Sequence, residues 1–248
     1  PRVAGSIPAP APFPHFHTEC VKGLTAVTIA RLKSPKRLGH VMKLDRRTFA
    51  LAATTALAAP GLARAQTASD YISLGQINAP IQLAEYASTT CPHCAHFHAT
   101  NWERLQSDYI GTGRVRVTLH EMLTPPFPVA LAMFQLARCN TSSAAEYFRR
   151  IGIMFAEQDL ILASGTAGGV RDALISLGAE WGLTPQQVMA AINDQASVDR
   201  IQRSIDEATQ RGVTGTPTFF IGDQRIEDPA FFTPDGMAHF LDAALAAR

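Results

Sequence analysis

The feature that most constrains this chain is the run Cys91-Pro92-His93-Cys94. It stands between residues 81–86, which read as a strand, and a helical stretch that reaches about residue 109. Two cysteines separated by two residues at a strand-to-helix turn form a redox pair more often than anything else. The first falls at the helix N-terminus, where free backbone N–H groups and the positive end of the dipole favour a thiolate. The second falls about one turn further on, close enough to close a short disulfide ring. Pro92 has no N–H to lose and a preset φ, so it suits the first helical position. A cationic His93 would add a second stabiliser of the Cys91 thiolate. The alternatives for the pair are a structural disulfide or half of a zinc site.

Charge divides the chain. Ten of its 22 Lys and Arg residues, but only two of its 21 acids, lie before Gln66. From residue 66 onward 12 basic residues face 19 acidic ones, a net charge of −7, and lysine is absent. Such an acidic body disfavours nucleic acid or an anionic membrane as partner. The cause of the split is legible at residues 42–65. Met42-Lys43-Leu44-Asp45-Arg46-Arg47 is a basic start, residues 48–62 are a short Ala-rich run, and Ala63-Arg64-Ala65 is a small-x-small cleavage site. Together they read as an export signal cleaved after Ala65, too short to span a membrane. Asp45-Arg46-Arg47-Thr48-Phe49 also bears a weak likeness to a twin-arginine signal. Residues 1–41 carry Pro8, Pro10, Pro12 and Pro14, the lone Cys20 and no sustained periodicity, and are expected to be an over-extended, disordered stretch. The expected mature chain, 66–248, has the size of one domain with a sizeable core. Its opening segment, 66–77, is too short for a separate dimerisation domain, so a monomer is expected.

Within that domain, residues 70–74, 81–87 and 115–119 read as strands. The helix after Cys91 directs Phe97, Trp102, Leu105 and Tyr109 inward and ends at Gly111 and Gly113. Pro125, Pro126 and Pro128 break the pattern. Helical spacing then recurs over 129–139, 144–156, 170–181, 185–192 and 198–210, with Thr184-Pro185 as a cap. Residues 218–221 read as a buried strand, Gly222-Asp223 as a turn, 225–226 as a short returning strand and 234–247 as a last helix. Strands at both ends with helices between give an α/β or α+β domain with a mixed sheet and a helical insertion over about 125–211; α/β is the class expected.

Two further features converge with the cysteines. Thr216-Pro217, after Gly215 and directly before an apolar strand, suits a cis peptide at a strand start. Glu85 is an acid in an otherwise apolar strand. Left buried and unpaired it has a raised pKa, and it can exchange a proton when Cys94 leaves or attacks.

Taken together, Glu85, Cys91-Pro92-His93-Cys94, Phe97 and Gly215-Thr216-Pro217-Thr218 resemble the DsbA-like thiol:disulfide oxidoreductases. The resemblance covers nearly all of 66–248. It implies a thioredoxin-like fold with an inserted helical subdomain and no cofactor beyond a redox-active Cys91–Cys94 disulfide. It assigns nucleophilic attack to Cys91, thiolate stabilisation to His93, substrate-strand binding to Thr216 and Pro217, and the buried-acid role to Glu85. Pro-His between the cysteines is typical of the strongly oxidising members, whereas Thr216 before the proline resembles isomerase-type and Gram-positive relatives. The implied partners are reduced or unfolded exported proteins and a quinone-linked membrane reoxidant of the DsbB type. The implied location is the periplasm.

The competing readings are an isomerase or reductase of the same fold and, from another class, a periplasmic metal-binding or holdase protein using the Cys/His cluster. Helical spacing scatters His93, His96 and His98, which counts against a metal site. His96 and His98 read as surface or packing residues. Cys139 reads as a small buried hydrophobe on a helix.

Overall fold

A computed structural model describes residues 70–248. The expectations for 1–41, for the leader 42–65 and for cleavage after Ala65 fall outside the described residues. The strands are β1 (Ile72–Leu74), β2 (Ile81–Ala87), β3 (Val115–Glu121), β4 (Thr218–Ile221) and β5 (Gln224–Arg225). They form one mixed sheet in the order β1-β3-β2-β4-β5. β2 and β3 run parallel, and every other pair is antiparallel.

The parallel pair requires a crossover. It is supplied by α1 (Pro92–Arg104), which continues as a π-helical segment over Leu105–Ile110. Six helices lie between β3 and β4: α2 (Phe127–Arg138), α3 (Ala144–Ala156), α4 (Gln158–Leu162), α5 (Ala167–Glu180), α6 (Pro185–Ile192) and α7 (Gln195–Gln210). A 3-10 turn, Pro229–Phe232, and α8 (Pro234–Ala246) complete the described chain.

Local chemistry sets the helix starts. Ser143, Thr166, Asp194 and Thr233 each accept a backbone N–H with their side chains, and Thr184 with Gln187 forms a full capping box. These caps explain why α5 and α7 begin three residues earlier than apolar spacing alone suggests. Pro128 does not break α2 as expected; it sits in the first turn, where its missing N–H costs no helical bond. The five residues of α4 are too few to display a period, and no element was expected there. Gly75 is required at its turn. Its φ is +109°, and a Cβ there would stand 2.6 Å from the Val115 carbonyl oxygen.

The sheet divides the core by residue parity. Ile81, Leu83, Leu119 and Phe219 pack with Phe97 and Phe231 in the main core, whereas Tyr86 and Phe220 pack with Ala208 and Val213. The adjacent Phe219 and Phe220 therefore serve different cores. The inserted helices have a core of their own around Met133, Leu136, Met154, Leu174 and Val188.

Candidate active site

The C-terminal end of β2 delivers the buried loop Ser88-Thr89-Thr90 to the start of α1. The insertion holds this loop from above. Gln158 Nε2 donates to the carbonyls of Thr89 (2.7 Å) and Cys91 (3.2 Å), Thr89 Oγ1 donates to Ala130 O (3.2 Å), and Thr90 Oγ1 donates to Thr124 O (2.8 Å). Cys91 is the N-cap of α1 and has an extended backbone, with Pro92 in the first turn. The N-terminal N–H groups of the helix are consequently turned toward the Cys91 sulfur.

The two thiols differ in access. Cys91 retains 5% of its surface and Cys94 none. Both are free thiols, and Cys91 Sγ–H donates to Thr216 O at 3.2 Å. The Thr216-Pro217 bond is cis. Beside it lies a cavity of about 360 Å³ lined by Pro217, Thr218, Arg225, Ile226, Glu227 and Phe232.

Ionisation separates the pair further. The Cys91 pKa is lowered to about 5, chiefly because the Cys94 thiol donates to its sulfur. Burial opposes this; the Thr216 hydroxyl and the backbone N–H groups of Cys94 and His93 reinforce it. Thr216 Oγ1 has no partner while Cys91 is a thiol, so its proton is free for the sulfur once that ionises. Burial pushes the Cys94 thiol far above its usual range, and the Cys91 sulfur and the Glu85 charge add to the rise.

Glu85 lies beneath the pair, fully buried, between Leu119 of β3 and Phe219 of β4. One of its oxygens is paired: His98 Nε2 is 2.9 Å from Oε1. The His98 ring is stacked 4.8 Å from Trp102 and lies 4.3 Å from Phe155.

A family model described as Thioredoxin matches residues 67–243. The chain belongs to the thioredoxin family. Among curated proteins, one from Rickettsia prowazekii, provisionally named a protein-disulfide oxidoreductase, is 27% identical over 173 residues, 69% of this chain and 60% of the relative. The chain thus spans about 60% of the length of that relative. Among solved structures, Wolbachia pipientis alpha-DsbA1 superposes with a TM-score of 0.60 at 24% identity, covering 72% of this chain and 92% of that one. A protein-disulfide isomerase from Novosphingobium aromaticivorans gives a TM-score of 0.62 at 19% identity, covering 71% and 97%. The thioredoxin fold with its mixed sheet and helical insertion is therefore shared with DsbA proteins.

In this thioredoxin-family protein Cys91, Cys94, Thr216 and Pro217 come together as the sequence suggested, with Glu85 below them. His93 is exposed, and among the leading contributions to the Cys91 thiolate it enters through its backbone N–H. His96 is exposed as well, whereas His98 turns inward, so the three rings do not converge. His98 was missed as a site residue, yet a signal existed: it lies four residues after Cys94, on the inward stripe Cys94, Phe97, His98, Asn101. Gln158 carried no such signal, because its role depends on where α4 lands. Cys139 is not a buried helical hydrophobe; it is the half-buried C-cap of α2. Among the described residues no helix is long and apolar enough to cross a membrane.

Proposed function

We propose that the chain is a periplasmic thiol:disulfide oxidoreductase that donates a Cys91–Cys94 disulfide to reduced exported proteins. The observation that carries this reading is the asymmetry of the two sulfurs: one reachable and acidic, the other sealed and basic. A substrate thiolate attacks Cys91 Sγ, the sulfur with access. The Cys91–Cys94 bond breaks, and its electron pair stays on Cys94, which takes up a proton. A second substrate thiolate then attacks the substrate sulfur of the mixed disulfide. Cys91 leaves as a thiolate, and its low pKa makes it a good leaving group. Two electrons have passed to the enzyme, and the substrate holds a new disulfide.

A stable Cys91 thiolate favours the reduced enzyme and makes the disulfide a strong oxidant. Pro217 and Thr216 would hold the substrate strand beside Cys91, and Glu85 would handle the Cys94 proton. No cofactor beyond the disulfide is required. Turnover would need a membrane reoxidant of the DsbB type, and the enzyme would act as a monomer.

Thr216 before the proline favours a second reading, a disulfide isomerase. Refolding separates the two. The oxidase reading expects rapid oxidation of reduced ribonuclease and little repair of the scrambled form. Repair without oxidation would overturn it in favour of the isomerase, and inertness toward both would overturn both.

A further inference from the structure

Cys94 needs a proton each time the disulfide opens, yet it has no solvent contact. Charge born on that sulfur sits in apolar surroundings and next to the Glu85 carboxylate. Glu85 is equally sealed, so it too must be recharged from elsewhere. Its Oε1 meets His98, and its Oε2 is buried without a hydrogen-bond partner. On the far side of the imidazole, His98 Nδ1 is likewise without a partner. The His98 ring lines a cavity of about 440 Å³ between α1 and the inserted helices, together with Ala95, Trp102, Phe155 and Asp159.

We propose that His98 is a proton-relay residue that links this cavity to Glu85 and thereby sets how fast Cys94 gains or loses its proton. The inference rests on the disulfide-exchange function proposed above. An imidazole can accept at one ring nitrogen while it donates from the other. As the Cys91–Cys94 bond breaks, His98 gains a proton at Nδ1 from the cavity and gives one from Nε2 to Glu85. Glu85 gives one to the Cys94 sulfur, directly or across one water. One solvent proton is consumed, the electron pair comes from the substrate thiolate, and no other reactant is needed. Disulfide closure runs the same path backward.

The surroundings support a conduit over a simple brace. Trp102 and Phe155 hold the ring plane without hydrogen-bonding to it. Among the described residues, Cys94 on α1 interacts electrostatically with Glu85, and His96 on α1 and Asp159 on α4 share the cavity lining with His98. α3 presents Phe155, β3 presents Leu119 and β4 presents Phe219. Besides solvent, Asp159 and His96 stand at the cavity end as groups able to pass a proton.

The test uses the full chain, with reduced glutathione opening the Cys91–Cys94 disulfide across a pH series. Each variant rate is taken as a ratio to the unsubstituted protein, which cancels the ionisation of glutathione. If the unsubstituted protein is not opened at all, the disulfide-exchange function itself fails. If it is opened, His98→Gln decides the relay, because its amide keeps an N–H donor toward Glu85 but cannot shuttle a proton. The expected result is a rate lower by roughly tenfold, with an altered pH profile and an unchanged equilibrium potential. His98→Ala should slow the reaction similarly and recover when imidazole is added, but not with salt at matched ionic strength. An unchanged rate in His98→Gln, or a folded His98→Ala that imidazole does not rescue, would overturn the proposal. Should His98→Ala not fold, His98→Gln decides alone.

Discussion

Two carboxylates are buried in the central strands of this sheet, and they are treated very differently. Glu121, at the end of β3, is surrounded by partners. Arg138 Nε (2.6 Å) and Tyr147 Oη (2.6 Å) donate to its Oε1, and Arg200 (3.4 Å) reaches Oε2. These come from α2, α3 and α7, so one carboxylate ties three inserted helices to the sheet. Glu85, in neighbouring β2, has His98 on one oxygen and nothing on the other. A buried charge that is fully hydrogen-bonded is fixed in place; one left half-satisfied is costly and calls for a reason. On the function proposed above, the difference separates scaffold from working site.

The largest effect should come from breaking the scaffold side. Glu121→Gln leaves two guanidinium groups without their counter-charge, and urea unfolding should show a loss of about 3–5 kcal/mol. The exchange rate per folded molecule should not change. Glu85→Gln should do the reverse: stability altered by about 1 kcal/mol, with disulfide opening slowed on the order of 100-fold. If Glu85→Gln unfolded the protein as badly as Glu121→Gln, the two carboxylates would be equivalent and the contrast would be lost. Tyr147→Phe removes one hydrogen bond to a charged group and should cost about 2 kcal/mol in the same unfolding measurement.

A pH series sharpens the contrast at the working end. The folded Cys91 pKa is about 5 against an ordinary thiol value of 9.0, so its ionisation stabilises the reduced protein fully above pH 9. That contribution declines as pH falls and is gone below about 5. Cys94 is shifted the opposite way, so its burial costs the reduced form stability only at pH above the ordinary thiol range. The melting temperature of the reduced protein relative to the oxidised one should therefore rise between pH 5 and 9. A flat difference would contradict the shift. The smallest effect is expected at Cys139, whose half-buried sulfur caps no function described above. Cys139→Ser should change stability by less than about 1 kcal/mol and leave exchange intact.

Much of this was legible in the sequence. The cysteine pair, the strand before it and the cis-proline segment are local signals, and local chemistry wrote them: a helix N-terminus, a proline in the first turn, an apolar run after a Thr-Pro. Phe97 announced the inward face of α1 by its spacing, and Tyr109 that of the π-helical segment after it. The two carboxylates were legible to different degrees. Glu85 stood out as an acid in an apolar strand, but its His98 partner depended on how α1 crosses β2. Glu121 lay beyond the alternating run 115–119, and its three partners come from helices far apart in sequence. Gln158 was invisible for the same reason. Tertiary pairings of polar groups leave no period in the chain, and they are what the structure adds.

The most direct test of the central claim is the ultraviolet thiolate absorbance of the reduced full chain, titrated with pH and assigned with Cys91→Ser. The account predicts one sulfur ionising with a midpoint near 5, absent in the variant. A midpoint at the ordinary thiol value of 9.0 would contradict it.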